Sequence, residues 1–365
     1  MSSINIAIII LHYKNLDDTR ACLVSVKNID YPLRLPLGRG REERGFSVFL
    51  INNDSINHGQ ILKNEFGEFI TLVQNPKNLG FAEGNNAGIK VALADSKTDA
   101  VLLLNNDTIV DSNILREMTS RLSPPAKGES EGVIGMVAPR MMQYRDKGAI
   151  DNLGIQLMSS GLPFNRRSVN DKLFCPTGGA ALYTRKLLET IFIPRHPERS
   201  EAESRDPSAN HETLRQAQGD GYYFDPAFYA YAEDLDLGFR ARLMGFKADY
   251  SPNAIVFHKG SATTAPMSDF AVYHTYRNLI WTQYKNFPTL LLLWQSPWLA
   301  LGWIFILVLY IKKGRGKIIL RALWAGITGL PATTKERQTI QRQRQATQKE
   351  ILSWFAPGLF PRSYL

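Results

Sequence analysis

The chain has 365 residues, 44% of them hydrophobic and 21% charged, which excludes a disordered chain and leaves room for more than one structural unit. Its net charge of +9 is carried by the segment from Lys312 to Leu365, where Lys and Arg outnumber the two acids Glu336 and Glu350; residues 1–311 sum to zero. Cys22 and Cys175, the only cysteines, lie far apart without ligand spacing, as free thiols of a reducing compartment do.

INIAIIIL (4–11) follows no basic residue and is too short for a signal-peptide layout, so it reads as a buried first strand. NLDDTRACLVSVKNI then places Leu16, Ala21, Leu23 and Val26 at helical spacing. FSVFLI (46–51), FITLVQ (69–74) and DAVLLLN (99–105) read as further strands, with helical HGQILKNEFG and FAEGNNAGIKVALADS between them. Apolar strands alternating with helices predict an α/β fold with a parallel sheet covered on both faces. The strands end in HYKN (12–15), NNDS (52–55), NPKNLG (75–80) and NNDT (105–108), which places four polar clusters along the sheet edge where such folds bind ligands.

Three stretches read as insertions: 33–45, 123–132 and 194–220. The last has almost no apolar residues, and its His196 and His211 read as solvated side chains rather than ligands. Farther on, FYAYAEDLDLGFRARLMGF (228–246) sets Glu233, Asp234 and Asp236 behind aromatics and ahead of an Arg-rich helix. Acids at a helix start complement its dipole, yet carboxylates beside apolar surface also mark reactive sites. Asp236 has the spacing to pair with Arg240.

TLLLLWQSPWLALGWIFILVLYI (289–311) is long enough to cross a bilayer, although Gln295, Ser296 and Pro297 interrupt it. Interfacial Trp294, Trp298 and Trp303 followed by a Lys/Arg cluster form a membrane pattern, better suited to a helix in the interface or a re-entrant pair than to one crossing. The expected partner of the basic segment is therefore an anionic membrane surface and not nucleic acid.

IAIIILHYKNLDDTRACLVSV, VFLINNDS, NPKNLGFAEGNNAGI, VLLLNNDTIV, PTGGAALYTRK, YAEDLDLGFRARLMGFKADYSPNAIVFH and YHTYRNLIW together, and in this order, resemble family 2 glycosyltransferases, most nearly the bacterial rhamnosyltransferase-like group. The likeness runs from about Ile4 to beyond Arg277, insertions excepted. It implies a GT-A fold, a Rossmann-like and mostly parallel sheet covered by helices, in a catalytic domain over 1–265. A helical, membrane-associated region then fills 266–365. The implied reaction is inverting transfer of a sugar, rhamnose being one choice, from a nucleotide diphosphate donor to a lipid-linked or polysaccharide acceptor of the cell envelope. The implied location is the cytoplasmic face of the membrane.

By the same resemblance Asp107 is a ligand of a divalent metal (Mn²⁺ or Mg²⁺), with His258 as a further ligand; Asn105 stands where the family usually has its first Asp. Asp234 maps to the general base and Glu233 to a group that orients acceptor or base, with Phe228, Tyr229 and Tyr231 as an apolar wall. Leu11, Tyr13, Asn52, Asn53, Asn78, Gly80, Asn85 and Asn106 map to the donor nucleotide pocket, and Gly178 and Gly179 to a loop beside donor or acceptor. Asn52-Asn53 replaces the usual acidic pair, which leaves the preferred base open. LHYKNLDD is not the triphosphate loop of a nucleotidyltransferase, and the Gln-x-x-Arg-Trp motif of processive synthases is missing. A degenerate, non-catalytic relative is the remaining alternative.

Overall fold

The computed structural model describes residues 4–31, 45–122, 132–194, 221–260 and 268–360. The expected insertions at 33–45, 123–132 and 194–220 lie outside these, apart from Gly45, Gly132 and Pro194 at their ends, and so does the boundary expected at 265–266.

Strands β1 (Ile6–His12), β2 (Phe46–Asn52), β3 (Thr71–Gln74) and β4 (Ala100–Asn105) pair in parallel in the order β3-β2-β1-β4. Ile8, Ile9, Ile10, Leu102 and Leu103 are buried, as both-face coverage of apolar strands requires. The crossovers are α1 (Leu16–Lys27), α2 (His58–Phe66) and α3 (Gly80–Ala94), as the periodicity predicts. Helix α3 lies close on the sheet because its inner face is small: a Cβ at Gly84 would fall 2.7 Å from Leu11, and one at Gly88 2.7 Å from Ile9.

Beyond β4 the sheet becomes mixed. Strands β5 (Thr108–Val110), β6 (Ile134–Gln143), β10 (Ala180–Thr184) and β13 (Lys247–His258) extend it in the order β4-β10-β6-β13-β5, and β7 (Ile150–Asn152) pairs with β6. Strand β10 runs antiparallel to β4 and β6, whereas β13 runs parallel to β6 and antiparallel to β5. The parallel half is thus the part predicted from alternating strands and helices; the other half is assembled from hairpins and long returns. Helix α4 (Ile114–Thr119) and helix α5 (Arg185–Ile191) cover this half together with α6 (Glu233–Leu243). Strands β8 (Ile155–Met158) and β9 (Pro163–Asn165) join the C-terminal β14 (Phe355–Ala356) in a small sheet, and β11 (Ile193–Pro194) pairs with β12 (Gly221–Tyr222).

Five helices follow: α7 (Asp269–Asn286), α8 (Thr289–Lys312), α9 (Gly316–Thr328), α10 (Leu330–Gln343) and α11 (Gln348–Ser353). Ser268 caps α7 by accepting from Ala271 N, and Thr347 with Glu350 forms a capping box on α11. Helix α8 continues through Pro297, and among the described residues it is the one helix long and apolar enough to cross a membrane. Leu291, Gln295, Gly302, Ile306 and Tyr310 form a stripe that buries it against the body of the protein. Its other faces expose Leu290, Leu293, Trp294, Trp298, Leu301 and Ile304, and neighbouring α9 exposes Leu320, Trp324 and Ile327.

Candidate active site

The carboxyl ends of the strands converge where the residues of the resemblance lie. Asp107, in the turn between β4 and β5, is buried, and its Oδ1 has no hydrogen-bond partner. Its Oδ2 lies 3.4 Å from Nε2 of His258, the last residue of β13. Pairing of His258 with Thr108 across β13 and β5 sets that proximity. The other ring nitrogen, Nδ1, lies 2.9 Å from Asp151 Oδ2 on β7. Burial opposes a charge on His258, yet hydrogen bonds and charge from Asp107 and Asp151 overcome it and raise its pKa to about 10. An orphaned buried carboxylate oxygen, an imidazole and a carboxylate behind that imidazole fit a hard divalent cation with an oriented histidine ligand.

Asp234 lies at the start of α6. Its Oδ2 accepts from Gly178 N at 2.7 Å and its Oδ1 from Leu235 N at 2.7 Å. The glycine loop is itself tied to the metal-side turn, because Asn105 N donates to Gly179 O at 3.0 Å. A Cβ at Gly178 would fall 3.1 Å from the Phe81 ring, so the loop lies close against the start of α3. Burial raises the pKa of Asp234, against backbone hydrogen bonds from Gly178 and Leu235 that lower it. Glu233 is buried, its Oε2 has no partner, and burial followed by the charge of Asp234 drives its pKa well above the carboxylate range. Burial and the neighbouring Asp234 thus both favour the neutral form of Glu233.

The aromatic loop before α6 is held in an unusual backbone. Tyr229, Tyr231 and Ala232 have φ of 64°, 70° and 63°, a left-handed region that non-glycine residues seldom occupy. Three anchors hold it. Asn278 Nδ2 on α7 lies 2.7–3.0 Å from the carbonyls of Phe228, Ala230 and Tyr231. Arg277 Nη2 bonds the carbonyls of Ala227 and Phe228. Phe81 N and Ala82 N, at the start of α3, donate to the Tyr229 carbonyl at 2.7 and 3.1 Å. Gly80, at φ +77°, allows this contact, since a Cβ there would sit 2.5 Å from the same oxygen.

Below the loop lies a buried ionic cluster. Lys285 Nζ reaches Asp225 Oδ2 at 2.8 Å, Asp236 Oδ1 at 3.0 Å and Glu336 Oε2 at 3.8 Å. Asp236 also pairs with Arg240 at 3.0 Å, as its spacing predicts, and accepts from Asn286 Nδ2 at 2.8 Å. Burial would lower the pKa of Lys285, but Asp225, Asp236 and Glu336 outweigh it and raise it.

The residues mapped to the nucleotide pocket occupy two settings. Leu11 and Tyr13 are half-buried at the end of β1, and Asn106 turns its Nδ2 to Thr19 Oγ1 at 2.9 Å. Asn52 is buried and donates to Gln74 Oε1 at 2.7 Å. Asn53 donates to Asn78 Oδ1 and Gly80 O and accepts from Asn75 Nδ2 and Leu79 N. Those four bonds use the full capacity of its amide, so Asn53 fastens the 75–80 loop and has nothing left for a base edge. Asn78 accepts from Gly80 N, and Asn85 donates to Phe81 O, both bracing the start of α3.

Five residues near the site carry no role in the sequence motifs. Asp151 comes from a short strand without period, and only the β6–β7 pairing carries it near β6. Asn278 lies within the YHTYRNLIW motif but is separated from its loop by 50 residues at Phe228. His12, Asp54 and His58 gather at the ends of β1 and β2, in an arrangement that could hold a metal ion.

Residues 46–278 match the family described as Glycosyltransferase like family 2, and the chain belongs to that family. It is a glycosyltransferase with a GT-A-type fold. No curated protein matches it. Among solved structures it is similar to S. aureus TarS, at 14% identity over 78% of this chain and 40% of that one, with a TM-score of 0.47. It is also similar to the mannosyltransferase PcManGT from Pyrobaculum calidifontis in complex with GDP-Man and Mn²⁺, at 15% identity over 94% and 84%, with a TM-score of 0.49. A third is GalNAc-T7 with UDP, GalNAc and Mn²⁺, at 13% identity over 77% and 48%, with a TM-score of 0.49. This chain spans less than half the length of TarS and of GalNAc-T7.

Proposed function

We propose that the protein transfers one sugar, with inversion, from a nucleotide diphosphate sugar to a lipid-linked or polysaccharide acceptor at the cytoplasmic face of a membrane. Rhamnose and envelope glycan assembly are the sugar and setting this reading favours, on the subgroup likeness of its motifs. The observation that carries it is the junction of Asp107 with His258, and of Asp234 with Gly178, on loops bonded to one another through Asn105 and Gly179.

Asp107 and His258 would hold Mn²⁺ or Mg²⁺, with Asp151 fixing the imidazole. The ion supplies charge neutralisation for the departing diphosphate. Asp234 accepts the proton of the acceptor hydroxyl as that oxygen attacks the anomeric carbon from the face opposite the leaving group. Its bonds to Gly178 N and Leu235 N, with the Thr177 hydroxyl beside them, fix the orientation of both carboxylate oxygens. Tyr229 and Tyr231 wall the approach, and Leu11, Tyr13 and the 75–80 loop border the nucleoside. The exposed Leu and Trp side chains of α8 and α9, next to Lys312, Lys313, Arg315 and Lys317, suit a helix pair lying in the interface of an anionic membrane.

The test is thermal stability across a panel of nucleotide diphosphate sugars, with and without Mn²⁺, for wild type and Asp107→Ala. A bound donor at about 100 times its dissociation constant adds about 2.7 kcal/mol. A metal-dependent shift with one donor, lost in Asp107→Ala, is the expected result. Silence from a well-folded sample across the panel would favour the degenerate reading.

A second measurement tests the metal ligands. A metal-bound imidazole must be neutral, whereas Asp107 and Asp151 keep His258 charged up to about pH 10. Mn²⁺ binding should therefore release about one proton and tighten about tenfold per pH unit near neutrality. Calorimetry in two buffers of different ionisation enthalpy reads the proton directly; binding without proton release would remove His258 from the ligand set.

A further inference from the structure

We propose that His12, Asp54 and His58 form a second divalent metal site, of a kind that suits Zn²⁺, at the mouth of β1 and β2 and separate from the Asp107–His258 pair. The three side chains come from three different elements: His12 ends β1, Asp54 follows β2, and His58 opens α2. Parallel pairing of His12 with Asn52 brings the two strand ends level, and Asn53 N donates to His12 O at 2.9 Å.

The ligand atoms already face one another. His12 Nε2 lies 3.3 Å from His58 Nδ1, His58 Nδ1 lies 3.9 Å from Asp54 Oδ2, and the three atoms are all within 4.8 Å of one another. With Zn–N bonds of about 2.0–2.1 Å, the edge of a tetrahedron is about 3.3–3.4 Å, so the two imidazoles stand at the spacing a shared ion needs. Asp54 Oδ2, 3.9 Å from His58 Nδ1, has to close by about 0.5–0.6 Å to reach that edge. Its Oδ2 accepts from Lys14 N at 3.0 Å, which leaves a second lone pair for a cation.

The tautomer of His12 is set by its other nitrogen. Thr19 Oγ1 donates its single proton to Asn15 O at 2.9 Å and accepts from Asn106 Nδ2. While that proton stays on Asn15 O, Thr19 Oγ1 accepts from His12 Nδ1 at 2.7 Å, the tautomer that turns the Nε2 lone pair toward His58. A hydrogen-bond acceptor behind the non-ligating nitrogen orients a metal-binding imidazole, and Thr19 Oγ1 stands in that place. Two nitrogens and one carboxylate oxygen suit Zn²⁺ over the hard ions, and three protein ligands leave a fourth position. His58 is the exposed member, with 19% of its side chain accessible, so that position opens toward solvent. Such an ion would cross-link β1, the β2 loop and α2.

Co²⁺ is the probe, since a tetrahedral N/O site turns it strongly coloured. The full-length protein, stripped with chelator, should develop a tetrahedral Co²⁺ band that saturates at one equivalent, whatever Co²⁺ the Asp107–His258 pair also takes, and one equivalent of Zn²⁺ should remove that band. His58→Ala should abolish the band, and Asp54→Asn should do so where His58→Ala perturbs folding. Thr19→Ala should weaken binding by roughly 10- to 100-fold. Asp107→Ala should leave the band unchanged. The proposal falls if wild type shows no tetrahedral band at millimolar Co²⁺, if the band survives both His58→Ala and Asp54→Asn, or if Asp107→Ala removes it.

Discussion

Asp234→Asn is expected to lower kcat by about 10²–10⁴-fold, the range a positioned general base contributes, with donor affinity unchanged. Asparagine retains the shape and an oxygen for Gly178 N, but it cannot take up the acceptor's proton. Steady-state kinetics paired with calorimetric donor binding separate the two effects; a parallel loss of donor affinity would make Asp234 a donor ligand instead. Glu233→Gln supplies the contrast. Burial and Asp234 push the Glu233 carboxyl toward its neutral form, which glutamine matches in shape and charge, so kcat and Tm should hold nearly constant. A loss as large as that of Asp234→Asn would transfer the base role to Glu233.

The pH profile follows from the same pair. The folded-state pKa of Asp234 is raised, so its base form is lost as pH falls through a value above the ordinary aspartate range of about 3.9. The acid limb of kcat/KM should therefore lie above that value, and it reports the Glu233–Asp234 pair rather than one residue.

Lys285→Met is expected to destabilise the protein by about 3–5 kcal/mol, the cost of removing one partner from a buried ionic cluster. Methionine fills the space, but Asp225, Asp236 and Glu336 lose the cation they share, while Arg240 stays against Asp236. Those carboxyls then favour the protonated form, so their folded-state pKa values rise above the unfolded ones. The deficit should be largest at pH 8 and shrink toward pH 5, as denaturant unfolding at both pH values will show. A deficit independent of pH would mean that packing, and not charge, is the role of Lys285.

How much was legible in the sequence differs between the two halves of the sheet. Strands β1 to β4 and helices α1 to α3 carry local signals, apolar runs and helical periods, and they stand within a few residues of where the pattern puts them. The mixed half carries no such period: β10 enters beside β4 from 75 or more residues downstream, and pairing at that range leaves no local trace. Site residues followed the same division. Asp107, His258 and Asp234 stand in motifs, and the structure sets Asp107 against His258 and Asp234 against Gly178. The partners that tune them, Asp151 and Asn278, reach the site through tertiary packing alone. Asn53 shows the opposite error, a residue that looks ligand-facing in a polar strand end but is consumed by its own loop.

The three left-handed residues Tyr229, Tyr231 and Ala232 carry a consequence for where this protein can be cut. Each such backbone costs about 1–3 kcal/mol and persists only where its surroundings enforce it. Two of the enforcers, Arg277 and Asn278, stand on α7, downstream of the apparent end of the catalytic fold. That helix is in turn packed by α9 and α10, which follow the apolar α8. A fragment ending near residue 265 would keep every motif acid and yet let the loop around them relax. Removing the apolar α8 by truncation and keeping the loop intact are thus opposed goals, and replacing the outward Leu and Trp side chains of α8 is the route that respects both.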